Sequence, residues 1–288
     1  MMPVLNTPVV TPRMPFLVDF ASGIISIGSC FADEVGSRLK EGGFHIELNP
    51  FGSLYNPSSI ASALLRIIDD VPIDETDLVE QDGLWHSWHH HGSFSLATPE
   101  ATLTTCNSRI HQAHNALKEA SLLMITFGTA WVFEYEGQVV ANCHKVPNNK
   151  FVRRRMTVDE IVALWMPLLQ KLVAYYPNIN ILFSVSPIRH MADGAHENQL
   201  SKSTLLLAVD SLIAGSNASK ICYFPAYEIV LDELRDYRFF GPDMTHPTDL
   251  AVDVVWEHFQ RSAMKPAVRE QAHLNAKQAR RDKHIPLH

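Results

Sequence analysis

Two short runs bring together residue types suited to acyl-transfer chemistry. The first is Gly28-Ser29-Cys30-Phe31-Ala32. A hydroxyl at this turn would sit where the amides of a helix N-terminus favour developing negative charge, which makes Ser29 a candidate nucleophile. Serine is also a preferred helix N-cap residue, so spacing alone leaves capping as the alternative role. Cys30 is a further candidate, because a helix N-terminus lowers a thiol pKa and a histidine can serve as its base. It lies one residue into the helix and points differently from Ser29. The second run is Gly241-Pro242-Asp243-Met244-Thr245-His246-Pro247. Asp and His three residues apart in a proline-flanked loop let the Asp243 carboxylate hold one imidazole nitrogen of His246 while the other faces a serine. Ser29, Asp243 and His246 therefore form the expected triad.

These runs need a scaffold that brings them together. Gly23-Ile24-Ile25-Ser26-Ile27-Gly28 has the continuous apolar character of a buried strand. Phe31, Val35 and Leu39 share one helix face, which ends at Gly42-Gly43. Residues 44–48 predict a second strand and Asn49–Pro57 a loop, with Pro57 opening a helix over IASALLRII. Leu122–Phe127, Ile179–Val185 and Ile221–Phe224 read as central strands, separated by amphipathic stretches at about 157–176, 200–214 and 248–262. Residues 69–107 are less regular. Trp131–Ala141 reads as a hairpin about Glu136-Gly137. The alternation predicts an α/β fold, a mostly parallel sheet covered on both faces, with the first and last strands delivering their ends to one carboxyl edge.

The run ISIGSCFADEVGSRL resembles the name-giving motif of the GSCFA family, within the SGNH/GDSL-like hydrolase superfamily. NPFGSLYNPSSI, WHSWHHH, FGTAWVF, ANCHKVP, SVSPIRH with ENQLSKS, and YFPAYEIVLDELRDYRFFGPDMTHP extend that likeness from about residue 24 to 262. The resemblance implies a flavodoxin-like three-layer α/β/α sandwich, with an N-terminal extension over 1–22, the hydrolase domain over 23–262 and a polar tail over 263–288. It favours serine over Cys30 as nucleophile. It implies oxyanion donors at the amides of Ser29 and Gly52, with Thr129 or Asn142 standing where the superfamily places an asparagine; such donors act on charge that forms only during reaction. No cofactor is implied. The function implied is a serine-dependent esterase, a deacylase acting on an acylated carbohydrate or another small polar ester. An acyltransferase on the same triad, or a non-catalytic polar-ligand binder, is the alternative.

Other polar clusters have weaker claims. His86, His89, His90 and His91 lack the HExxH pattern and well-spaced cysteines of a zinc site, so no metal is expected. With Trp85 and Trp88 they suit the lining of a cleft for a polar substrate, and Trp85, His86 and His90 are assigned there. His144, in the Asn142–Lys145 group, joins them through the family likeness. Arg189 and His190 follow an apolar strand at its carboxyl end and are also assigned to the substrate pocket. Arg153-Arg154-Arg155 reads as a solvated charge run.

The chain has 288 residues, enough to bury a large core without a staple. Apolar residues make up 46% and charged residues 19%, which excludes a disordered or fibrous class. A formal charge of −7 argues against nucleic acid and anionic membranes as partners. The four cysteines have no CxxC spacing and are expected to be free thiols. No apolar run approaches the roughly 20 residues of a membrane helix. Cytoplasmic location is the expectation.

Overall fold

The computed structural model describes residues 7–216 and 219–283. The first six residues of the expected extension and the last five of the tail lie outside them. In chain order the elements are β1 (Gly23–Gly28), α1 (Cys30–Glu41), β2 (His45–Leu48), α2 (Pro57–Asp69), β3 (Leu78–Gln81), β4 (Leu84–Ser87), α3 (Pro99–Glu119) and β5 (Ala120–Phe127). There follow β6 (Trp131–Tyr135), β7 (Gln138–Val140), β8 (Phe151–Arg155), α4 (Val158–Tyr175), β9 (Asn180–Val185), α5 (Gly194–Gly215), β10 (Ile221–Tyr223), α6 (Ala226–Glu228), α7 (Asp249–Ala263) and α8 (Pro266–Lys283).

A five-stranded sheet in the order β10-β9-β5-β1-β2 is parallel throughout. Successive strand residues face opposite ways, so the central strands must be apolar on both sides. In β5, Leu123, Ile125 and Phe127 pack with residues of α2–α5, while Leu122 and Met124 pack against α1 and α7. The result is the expected three-layer sandwich. Segment 14–18 closes the second layer: Met14, Phe16 and Val18 are buried there, and the Met14 and Val18 amides donate to the carbonyls of Ser262 and Ala263.

Two regions depart from the sequence reading. The irregular stretch holds β3, β4 and the start of α3, which opens on a Thr98 cap and Pro99; the weak amphipathicity of α3 hides it, because it is buried through only a few positions such as Cys106, Ile110 and Leu117. The predicted hairpin gains a third strand, since β8 pairs antiparallel with β6 and gives the order β7-β6-β8. That strand carries Arg153, Arg154 and Arg155. Each is ion-paired, with Asp193, with Glu134 and Glu160, and with Glu197 respectively. The run is thus a strand braced by carboxylates on neighbouring elements. The described part of the tail forms α8, which packs on α1, with Ala272 buried. No described helix is long and apolar enough to cross a membrane.

Candidate active site

The turn from β1 into α1 depends on Gly28. Its φ is +155°, and a Cβ there would stand 2.3 Å from the carbonyl oxygen of Thr126 on β5. No other residue permits that approach. The Gly28 amide donates to Asn49 Oδ1 (2.9 Å), Asn49 Nδ2 donates to Asp33 (2.7 Å), and Ser53 Oγ donates to the other Asp33 oxygen (2.6 Å). This network locks the nucleophile turn to the loop after β2.

Ser29 is the extended residue before α1, yet its side chain makes no capping bond. It is 1% exposed, and its Oγ has no partner. The hydroxyl thus neither caps α1 nor bonds His246, and a Cβ on Gly128 would lie 3.2 Å from the Ser29 Cβ.

The neighbour of His246 is Cys30. Its Sγ lies 3.9 Å from His246 Nε2, within the limit for a sulfur hydrogen bond, and His246 Nδ1 lies 2.6 Å from Asp243 Oδ2. The three groups form a thiol–imidazole–carboxylate line. The local chain explains why the histidine holds still. Asp243 Oδ1 accepts the amides of Thr245 (2.9 Å) and His246 (3.0 Å), Gly241 donates to the His246 carbonyl (2.8 Å), and the Arg189 amide donates to the Thr245 carbonyl. Charged-state hydrogen bonds from His246 and Thr245 push the Asp243 carboxyl down to about 2, so it is ionised at any pH of interest. An ionised Asp243 fixes the proton on Nδ1 and leaves Nε2 as a base toward sulfur. Burial, then the Asp33 charge, raises the Cys30 thiol above its ordinary value, opposed by the amides of Cys30 and Phe31. The resting group is a neutral thiol, contrary to the lowering expected for a helix N-terminus.

Two of the expected oxyanion donors are already engaged. The Ser29 amide donates to Thr126 and the Gly52 amide to Asn49, so both are spent. The Thr129 amide is spent on Tyr55, and its hydroxyl meets Ser201 Oγ (3.1 Å). Asn142 faces the cavity, with its Oδ1 accepting the His144 amide. A donor the sequence reading missed is Asn56: its Oδ1 accepts the Ser59 amide at the start of α2 (2.8 Å), which leaves Nδ2 for the cavity beside Cys30. The Asn-Pro pair before a helix is the signal available in the sequence.

Cys30, His246 and Asn56 open into a cavity of about 690 Å³ walled by the inserted three-stranded sheet and the loop after β9. Trp131, Phe133, Ile188 and Met191 give it an apolar wall, and Arg189 and His190 also line it. Burial and the neighbouring Lys202 charge lower His190 to about 4, so it is a neutral imidazole. Trp85, His86, His90 and His144 do not line this cavity. His86 bonds Ser95 Oγ (2.6 Å) and the Gln81 carbonyl and stacks on His144. His144 bonds the Ser87 carbonyl (2.8 Å), and His90 stacks on Phe51 and meets Ser87 Oγ. Trp85 bonds Leu96 through its backbone and packs on the core. These side chains tie the β3-β4 hairpin to the segments around it, at Phe51, Ser95, Leu96 and His144. Among the described residues no group of three or more His, Cys, Asp or Glu side chains is placed to hold a metal.

Residues 23–259 match the GSCFA family. The chain belongs to that family. No match was found among curated protein sequences. Similar solved structures include a carbohydrate esterase family 3 protein from Talaromyces cellulolyticus, 8% identical over 87% of this chain and 97% of that one, with a TM-score of 0.38. Another is an acetyl xylan esterase, Est2A, from the rumen bacterium Butyrivibrio proteoclasticus, 11% identical over 89% of this chain and 65% of that one, also at 0.38. In this GSCFA chain, then, the second residue of the Ser-Cys pair is the one the histidine faces.

Proposed function

We propose that the chain is a cysteine-dependent hydrolase of ester bonds, removing an acyl group such as acetyl from a carbohydrate or another small polar molecule. The observation that carries this reading is the 3.9 Å approach of His246 Nε2 to Cys30 Sγ with Asp243 behind the ring. In the reaction His246 takes the thiol proton and the sulfur attacks the ester carbonyl. The oxyanion meets the Cys30 amide, whose position at the start of α1 leaves it without a helical acceptor, and the Asn56 side-chain amide. Collapse breaks the C–O bond, and the alcohol leaves with the proton from His246. Water, deprotonated by the same imidazole, then attacks the thioester and releases the acid, restoring the thiol. The mixed apolar and polar lining suits an acyl group against the Trp131 wall and a polar alcohol toward Arg189 and His190.

The test is intact-protein mass spectrometry after brief exposure to an activated acetyl ester, followed by peptide mapping. An acetyl adduct on Cys30 that hydroxylamine removes at neutral pH, and that His246→Ala suppresses, is the expected result. A fluorophosphonate adduct on Ser29, or no adduct on folded protein, overturns it. Transfer to an added hydroxyl acceptor in preference to water would assign the same thioester to an acyltransferase.

A further inference from the structure

The charged residues that line the cavity beside Cys30 are Arg153, Arg189 and Asp193. Arg153 and Asp193 cancel, because Nη1 and Nη2 of the guanidinium donate to the two carboxylate oxygens at 2.7 and 2.6 Å. Arg189 is different. Its guanidinium has no hydrogen-bond or ion-pair partner among the described residues, and it rests near the Phe240 ring, with Cζ 5.8 Å from the centroid. Asp33 and Asp243, the carboxylates behind the catalytic groups, do not line the cavity and are already bonded, to Asn49 and Ser53 and to the loop that carries His246. The cavity wall therefore carries one uncompensated positive charge in a chain whose formal charge is −7. The field of the whole chain gives no attraction for anions, so any preference for one is local to this wall.

The neutral polar groups around that charge are weighted the same way. Trp131 Nε1 is buried without a partner and can only donate. Asn56 and Asn142 spend their side-chain oxygens on the amides of Ser59 (2.8 Å) and His144 (3.0 Å), so what each has left is an NH2 donor. His190 Nε2, also buried without a partner, belongs to a neutral ring and can take either role. Unmet donors of this kind call for a ligand rich in acceptor oxygens. Arg189 also borders a second cavity, of about 480 Å³, but Asp232 and Asp236 stand there beside Arg235 and disfavour an anion. The catalytic side is where its charge finds use.

We propose that the alcohol part of the substrate carries an anionic group, a carboxylate or a phosphate, which Arg189 binds at the wall of the catalytic cavity. This rests on the reading of the cavity as the ester site. Both anions can accept two parallel N–H bonds from one guanidinium, a match that no neutral alcohol offers. The Arg189 amide is tied to the Thr245 carbonyl (3.2 Å), so the anion site and the catalytic imidazole stand on joined loops. A neutral analogue leaves the guanidinium without its acceptor, and that loss falls on the binding of the wrong ester.

The test reads occupancy of the cavity, not turnover. Cys30 lines the same cavity, so its alkylation by iodoacetamide, a neutral reagent, slows when a ligand sits there. Labelling is followed by peptide mass spectrometry over a concentration series of glucuronate, glucose 6-phosphate or methyl glucoside at constant ionic strength, in the wild type and in Arg189→Gln. In the wild type one of the two anions is expected to protect Cys30 at a concentration about tenfold or more below that of methyl glucoside, and Arg189→Gln is expected to abolish that difference. Which anion protects decides between carboxylate and phosphate. Protection by neither anion beyond that of methyl glucoside, or an unchanged difference in folded Arg189→Gln, overturns the proposal; should the variant not fold, the wild-type comparison decides alone. Protection by an anion with no hydrolysis of any of the three sugars in acetylated form keeps the anion site and refutes the ester reading. Hydrolysis of all three acetylated sugars with equal kcat/KM does the reverse.

Discussion

Replacing Cys30 by Ser tests the assignment of the nucleophile, because it installs the atom that the motif analysis favours at the position the geometry favours. The sulfur stands 3.9 Å from His246 Nε2. A C–O bond is about 0.4 Å shorter than a C–S bond, so the hydroxyl falls back to roughly 4 Å or beyond, where proton transfer needs about 2.6–3.2 Å. A misplacement of about 1 Å can cost roughly 10²-fold on its own, and the alcohol is also a far weaker acid than a thiol. Together these predict a loss in kcat/KM of about 10³-fold or more, a barrier increase near 4 kcal/mol. Ser29→Ala is the matched control. The Ser29 Oγ is buried without a partner and caps nothing, so its removal should hold kcat/KM within about twofold and leave stability unchanged or higher by up to about 1 kcal/mol. Both variants are assayed on an activated acetyl ester, with urea unfolding to establish that they are folded. A Cys30→Ser enzyme within tenfold (about) of wild type, or a folded Ser29→Ala enzyme without activity, would refute the reasoning.

Asp243→Asn frees His246 to adopt the wrong tautomer, and kcat should fall by about 10²-fold or more while the unfolding midpoint barely changes, since the loop is exposed. Asp33 is the second cause of the raised Cys30 thiol, after burial. Removing an anion that opposes the thiolate lowers the thiol pKa, so Asp33→Asn should shift the iodoacetamide–pH profile of Cys30 toward acid; a shift toward alkali would contradict the electrostatic account. Gly28→Ala places a Cβ 2.3 Å from the Thr126 carbonyl at a backbone φ of +155°, and should cost about 3 kcal/mol or more in urea unfolding as β1 and β5 separate.

The sheet was legible in the sequence because its central strands are buried on both faces, and runs such as Leu122–Phe127 must then be continuously apolar. The Asp243–His246 pair was legible for a similar reason: both members belong to one short loop, so spacing constrains their geometry. The nucleophile was a harder problem. Ser29 and Cys30 are neighbours, and which of them faces the histidine depends on where α1 begins. Cys30 is already the first helical residue, which turns its side chain toward His246 and leaves Ser29 against Gly128. A boundary one residue away would exchange their roles, and helix boundaries are the part of a sequence reading that periodicity defines least. The histidines of residues 86–91 failed for the opposite reason. Their composition resembles a polar cleft, but His86, His89, His90 and His91 bond Ser95, Asp77, Ser87 and Ser93, none of which lines the cavity. The cavity-lining residues with a buried polar atom that has no partner, His190 through Nε2 and Trp131 through Nε1, come from a loop and an inserted strand, where only three-dimensional packing distinguishes a bound polar atom from a free one. Free polar capacity next to the thiol, not polar composition, is therefore the signal that locates the substrate side of this site.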